Sequence, residues 1–276
     1  MSDSAAARAL PATALPVAMR AARAAGAVVR QAFVARDGWT VQSKGAGDLV
    51  TDIDRQAEAC IAAELRKDFA SHAILGEEGG LQPAAGADDY TWVVDPIDGT
   101  MNFAHGLPHL CVSIALSWRA QTLCAVVYDP LREELFSAAA GHGAWLGSRR
   151  LRVSSCQRLD QALLAAVFPK PGSPWLARFT PTLLQALHDC AGVRRSGSMV
   201  LDLAYVAGAR LDGFWQWGMQ PWDIAAGELL VREAGGHVEA IDPAPALLQA
   251  DGLLACGPAL AEALGRLCRG PRAIPR

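Results

Sequence analysis

The sequence is poor in charge. Lys, Arg, Asp and Glu make up 19% of its 276 residues, and the formal net charge is only -3. Nothing in that balance points to nucleic acid as the main ligand. A small anionic substrate would meet no general attraction and would need a local cation, for which a metal ion would serve. Long hydrophobic runs are missing as well. None reaches the roughly 18 residues that a membrane helix requires, so no membrane association is expected. C-x-x-C pairs are also missing. The seven cysteines are odd in number, and several, such as Cys111 and Cys124, lie inside apolar runs. They read as buried, reduced thiols of a cytoplasmic protein, not as a disulfide framework or a zinc site. What is plentiful is apolar material, 51% of the chain. That is enough for a sizeable core in one large domain or two tightly joined ones.

Periodicity gives the coarse order. From Pro16, Val17, Met19, Ala21, Ala22, Val28, Val29 and Phe33 recur as one helical face, preceded by a loose tail. This stretch reads as an ordinary first helix and not an organelle transit peptide. Residues 36–47 read as a mobile loop or hairpin. The stretch from Asp48 to Phe69 opens polar and turns helical, with Asp54 at the expected N-cap. A strand at 73–76, a loop over 81–90 and a strand before Asp95 follow. Residues 111–136 look like antiparallel strands. Near residue 155 the pattern changes to alternating strands and helices. The reading is an α+β half (1–154) that carries the main acidic motifs, and an α/β half (155–276).

The informative residues are carboxylates at strand ends and helix starts. Alone, Asp54 or Asp223 is more often a helix cap than a ligand. The run D-P-I-D-G-T at Asp95–Thr100 is different. Pro96 fixes φ and removes a donor, so the chain turns sharply after an apolar strand. Asp95 and Asp98 can then point to one side, with the Ile97 carbonyl free. Gly99 and Thr100 offer backbone N–H groups at a helix start, where phosphate binds well. Two carboxylates and a carbonyl are hard oxygen ligands of the kind Mg²⁺ uses. Packed together without a cation or proton, they would be costly.

G-E-E at Gly76–Glu78, D-P-I-D-G-T-x-N-F at Asp95–Phe103 and W-D-x-A-A-G at Trp222–Gly227 resemble the signatures of the inositol monophosphatase family. So do K…D-L-V-T-x-x-D at Lys44–Asp54 and G-S-x-x-x-D-L-A-Y-V-A-G at Gly197–Gly208. The resemblance runs over nearly the whole chain and is closest to the bacterial branch. It implies an αβαβα layered sugar-phosphatase fold, with the WD motif and leaving-group pocket in the second half. It also implies two to three Mg²⁺ ions, inhibition by Li⁺, and a homodimer. Glu77, Asp95 and the Ile97 carbonyl would hold the first ion, and Asp95, Asp98 and Asp223 the second. A third would sit near Glu77. Thr100, supported by Asp54 and Glu77, would activate water, with Glu78 behind the ligands. The Gly99 and Thr100 amides would take phosphate oxygens, with Lys44 on the loop near the metals.

Family members that cleave inositol phosphates usually carry Glu seven residues before the WD aspartate, where this chain has Gln216. The implied substrate is inositol-1-phosphate or a similar polyol or sugar monophosphate. The alternatives are histidinol phosphate, a 3′-phosphoadenosine nucleotide, fructose-1,6-bisphosphate, or a regulatory protein tied to RNA or the transcription machinery. Asp52-Ile53-Asp54 resembles the D-x-D of another phosphatase class but lacks its preceding apolar strand. His105 and His109 read as structural or entrance residues. Trp215, Trp217 and Trp222 read as walls on the leaving-group side. Arg194 and Arg195 fit either a substrate contact or a subunit interface.

Overall fold

The computed structural model describes residues 3–45, 47–84 and 89–270. The middle of the expected 81–90 loop, residues 85–88, lies outside them, as does the Asp48 side chain. Helix α1 (Asp3–Ala35) begins well before Pro16 and carries Pro11 and Pro16 within it. Alanine's high helix propensity offsets the missing proline donors, and Thr13 Oγ1 donates to the Leu10 carbonyl at 3.0 Å. The expected loose tail is therefore helical.

Strands β1 (Val41–Gly45) and β2 (Asp48–Thr51) form an antiparallel hairpin paired with no other described strand. Helix α2 (Asp52–Asp68) follows. Its N-cap is Thr51, not Asp54. Asp54 stands three residues on and closes a capping box, accepting from the Thr51 backbone N–H at 2.8 Å.

An eight-stranded sheet takes β3 (Ala73–Gly76), β4 (Gly80–Gln82), β5 (Tyr90–Asp98), β6 (Cys111–Trp118), β7 (Gln121–Asp129), β8 (Glu134–Ala139), β9 (Gly143–Leu146) and β10 (Arg149–Arg150). The short helix α3 (Thr100–His105) lies between β5 and β6. The second sheet has order β12-β11-β13-β15-β14. Its strands are β11 (Leu163–Ala165), β12 (Gly192–Arg194), β13 (Gly213–Trp217), β14 (His237–Ala240) and β15 (Gly252–Cys256). The helices among them are α4 (Leu176–Asp189), α5 (Met199–Ala207), α6 (Pro221–Glu233) and α7 (Ala261–Arg269).

Three apolar clusters fix the layers. Ala21, Ile61, Trp92 and Val94 join α1 and α2 to one face of the large sheet. Val93, Ala125, Leu203, Leu230 and Phe214 join its other face to α5, α6 and the second sheet. Phe179, Trp215, Trp217 and Leu264 join the far face of the second sheet to α4 and α7. The result is the α–β–α–β–α layering. Helix α6 is buried from Asp223 to Val231 because it lies between two sheets. It ends in a Schellman motif, with Gly236 N–H on the Val231 carbonyl at 2.8 Å and Gly235 N–H on Arg232 at 2.9 Å.

Candidate metal and phosphate site

The site grows from the end of β5. Trp92 and Val94 face α1 and α2, so Val93 and Asp95 face the α5/α6 layer. Pro96 does not turn the chain away, as the sequence suggested. The strand runs on through Asp98 as a bulge, with Asp95 opposite Ser113 and Asp98 opposite Cys111. Proline fits at a bulge because the ladder is already broken there. The extra residues bring Asp95 and Asp98 to the same side. Gly99 then takes φ +104°, a left-handed conformation at little cost only for glycine, and α3 begins at Thr100.

Asp223 arrives from the opposite layer, in the first turn of α6. Asp95, Asp98 and Asp223 each offer a carboxylate oxygen, all within 4.8 Å of one another, and all three residues are buried. Asp223 also accepts the Gln220 N–H at 2.7 Å. Burial pushes its carboxyl well above the usual range. Asp95 is raised well above it too, by burial first and then by Glu77, Asp98 and Asp223. Burial raises Asp98 as well, against three donors: Ser198 Oγ at 2.5 Å, Val200 N–H at 2.7 Å and Met199 N–H at 3.2 Å. The first two act on Oδ2, so Oδ1 is the oxygen left more open.

Glu77 sits beside Asp95, and burial pushes its carboxyl up to about 7. The two carboxyls come within hydrogen-bonding reach, an arrangement that needs a shared proton unless a cation intervenes. Lys44 reaches across from β1, 2.5 Å from Glu78 and 3.5 Å from Glu77. The Thr100 hydroxyl lies 3.0 Å from both Asp54 Oδ1 and the Ile97 carbonyl. Asp54, itself buried and raised by that burial, also accepts Thr51 Oγ1 at 2.5 Å. The acidic side chains are all oxygen donors, and no soft ligand stands among them. Cys111 Sγ is 3.8 Å from Asp98, but burial pushes that thiol well above its ordinary value. This donor set fits a hard divalent cation such as Mg²⁺.

The site also has parts the sequence reading missed. Glu58, four residues after Asp54 on the same face of α2, accepts the Glu78 and Gly79 N–H groups at 2.9 and 2.8 Å and so fixes the turn that holds Glu77. Its i, i+4 spacing from Asp54 was the available signal. Nothing local marked Ser198 as a partner of Asp98.

The second sheet corrects the tryptophan expectation. Trp215 and Trp217 face the α4/α7 side and do not line the leaving-group side. Strand alternation turns Phe214 inward instead, and Gln216 with it. Gln216 is 3% exposed. Its Nε2 donates to the Trp217 carbonyl at 2.9 Å, while its Oε1 has no protein partner. His105 Nδ1 lies 2.9 Å from the Met101 carbonyl, and His109 Nε2 lies 3.4 Å from the buried Asp202. Neither contact involves the carboxylate cluster. Arg195 stacks over Phe168 at 5.6 Å.

The raised carboxyls make stability pH-dependent in metal-free buffer. Glu77 moves from 4.5 in the unfolded chain to about 7 in the folded one. Between those values the native state holds a proton that the unfolded state has released. Its contribution is therefore complete below the lower value and is lost as pH rises through the upper one. With a chelator present, the melting temperature should be lower at about pH 8 than at about pH 5, and Mg²⁺ should raise it more at the higher pH. Thermal melts at both pH values check this. Equal Mg²⁺ shifts would mean that protons and cation do not compete for these groups.

A model of the inositol monophosphatase family matches residues 11–270. Over 227 residues the chain is 48% identical to Nus factor SuhB of Pseudomonas aeruginosa, covering 81% of this chain and 84% of that one. With Nus factor SuhB of Escherichia coli it shares 47% over 225 residues, again 81% and 84%. Among solved structures, extragenic suppressor protein suhB of Bartonella henselae superposes with a TM-score of 0.87 at 36% identity, covering 92% of this chain and 98% of that one. Inositol monophosphatase of Anabaena gives 0.80 at 37%, covering 94% and 97%.

Proposed function

The chain belongs to the inositol monophosphatase family, and from that premise we propose that it is a Mg²⁺-dependent phosphomonoesterase acting on a small polyol or sugar monophosphate such as inositol-1-phosphate. The observation that carries the reading is the buried meeting of Asp95, Asp98 and Asp223 from two layers of the fold. Three carboxylates held this close have no stabilising arrangement without protons or cations. Glu77, Asp95 and the Ile97 carbonyl would hold one ion, Asp95, Asp98 and Asp223 would hold another, and a third would sit near Glu77. Bound Mg²⁺ supplies Lewis acidity, lowers the pKa of water and offsets charge on the phosphoryl oxygens.

The chain's own residues position and move protons. The Thr100 hydroxyl, 3.0 Å from Asp54 Oδ1, accepts the attacking water's proton as its own passes to Asp54 Oδ1. Asp54 suits that role because burial favours its protonated form. Glu77 shares the work as ligand and acceptor. The Gly99 and Thr100 amides orient the phosphate, the water oxygen bonds to phosphorus as the P–O bond to the alcohol breaks, and the departing alkoxide takes its proton from solvent water. Glu78 keeps Lys44 beside the cluster through their ion pair. Gln216 Oε1 accepts from a hydroxyl of the leaving group.

A phosphate-release panel tests the reading. Inositol-1-phosphate, histidinol phosphate, 3′-phosphoadenosine 5′-phosphate and fructose-1,6-bisphosphate are compared with Mg²⁺ and with a chelator. Release is expected only with the metal, and full release under chelation would remove the mechanism. Gln216→Leu should lower kcat/KM for inositol-1-phosphate relative to p-nitrophenyl phosphate about tenfold, the worth of one well-placed hydrogen bond. An unchanged ratio would mean that Gln216 does not read the leaving group. The relatives' name, Nus factor, supports a second reading in which the protein also joins the transcription machinery of the cytoplasm; the homodimer is proposed on the family resemblance alone. Co-purification with RNA polymerase, in wild type and in Asp95→Asn, would separate that role from catalysis.

A further inference from the structure

The phosphatase reading gives no work to Asn102, yet this side chain is 2% exposed and fully engaged. It stands in α3, two residues past Thr100. Its Nδ2 donates to the His109 carbonyl at 2.7 Å and to the Ser196 carbonyl at 2.8 Å. An amide nitrogen carries two hydrogens, so both are in use. An oxygen in that place would face two carbonyl oxygens, which decides the way round the amide sits. The main chain adds to the hold, since the Asn102 carbonyl accepts the Leu107 N–H at 2.8 Å.

The two carbonyls lead to different parts of the site. The His109 carbonyl, just before β6, backs the turn at Gly99. A Cβ placed on Gly99 would lie 3.1 Å from its oxygen. Ser196, just after β12, opens the loop that aims Asp98. Two residues on, Ser198 Oγ donates to Asp98 Oδ2 at 2.5 Å, and the Val200 N–H reaches the same oxygen at 2.7 Å. Gly197, at φ +92°, lies between Ser196 and Ser198. A Cβ there would lie 2.9 Å from Asn102 Nδ2, so this glycine is needed for close approach as well as for its dihedral angle. The end of β5, the entry to β6 and the β12–α5 loop thus converge on one amide.

In the phosphatase reading Gly99 and Thr100 orient the phosphate, and Asp98 would hold a metal ion. The backing of the first and the loop that aims the second hang on the same nitrogen. We propose that Asn102 is a positioning residue that sets the phosphate-binding turn against Asp98, so that phosphate and cation meet in one relative geometry. The amide itself touches neither; it acts through the two carbonyls. The proposal rests on the phosphomonoesterase reading and deepens it.

The test reads the coupling between Mg²⁺ and inorganic phosphate, by calorimetric titration and by the melting shifts that each ligand causes alone and with the other. In the wild type each should tighten the other by one common factor, as linkage requires. Asn102→Ala should cut that factor about tenfold, the worth of two ordinary hydrogen bonds. It should also lower kcat for inositol-1-phosphate about 10²-fold, more than it raises KM, as expected for misplaced reacting groups. Asn102→Asp fits the same space but turns an oxygen toward both carbonyls, so it should lose as much as Asn102→Ala or more. A side chain that only fills space would give the reverse order. A purely structural amide would lower the melting temperature and leave the coupling factor unchanged, and that result would overturn the proposal. The shifts are read from the melts themselves, so a weakly stable variant still reports. Absence of coupling in the wild type would overturn the proposal as well. Coupling that depends on Asn102, in a protein that releases phosphate from no ester, would sink the phosphatase reading and leave Asn102 its role.

Discussion

Asp95→Asn is expected to lower kcat by about 10³-fold or more while leaving the protein folded and more stable in metal-free buffer at neutral pH. The two effects share one cause. Asp95 is buried among Glu77, Asp98 and Asp223, which raise its carboxyl well above the usual range on top of burial. Its charge is therefore unfavourable until a cation neutralises it. An amide keeps the shape and removes the repulsion, so the apo protein gains. The amide is also a poor Mg²⁺ ligand, and Asp95 is proposed to serve two ions at once, so a single change weakens both. The amide side chain also keeps an oxygen able to accept the Ile97 N–H, which Asp95 accepts at 3.0 Å. Steady-state kinetics and melts with and without Mg²⁺ give both readings. Near wild-type turnover in the purified variant would end the ligand assignment. A lower melting temperature without metal would mean that the cluster is held together by something other than cation demand.

Thr100→Ala is expected to lower kcat by about 10²- to 10⁴-fold, the usual worth of a positioned proton carrier, with a small change in KM. The hydroxyl lies 3.0 Å from Asp54 Oδ1, and Asp54 has no other route to the reacting centre among its contacts, because its second oxygen is taken by Thr51. Removing the hydroxyl leaves the acid buried and cut off from the water it would serve. Thr100→Ser keeps the hydroxyl and should recover most of the rate, whereas a purely structural threonine would be replaced about equally well by alanine. Comparing the three proteins over a pH series distinguishes these cases. Loss of the acidic limb of the kcat profile in Thr100→Ala alone would tie the limb to the Thr100–Asp54 pair.

The Asp95–Thr100 run could be read from the sequence because its constraints are local. Proline fixes one dihedral, glycine permits another, and two aspartates three apart share a side whether the chain turns or, as here, bulges. The succession of helices and strands could be read for a related reason, since helical and strand periods differ, whereas the αβαβα layering came from the family resemblance. What escaped depends on register or on distant partners. Asp54 looked like a cap, but Thr51 holds that place and Asp54 closes the capping box three residues on, so both acidic and hydroxyl side chains belong to one helix start. Trp215 and Trp217 flank Gln216 in sequence and oppose it in space, because adjacent strand residues face opposite sides. Ser198 meets Asp98 across a hundred residues of chain, a pairing set only when α5 docks on the large sheet.

The placement of α6 divides the site into a fixed part and a part free to yield. Asp223 is rooted in a helix buried from Asp223 to Val231 between two sheets. Drawing it away from Asp95 would breach the central core, so it can leave only when much of the molecule opens. Lys44 is different. Its strand β1 is exposed along its whole length, and the hairpin is joined by strand pairing to no other described strand, so β1 can move at little cost in burial. The carboxylate geometry is thus settled as the chain folds. Adjustment to each arriving substrate falls to the hairpin, whose local unfolding costs far less than that of the helix opposite.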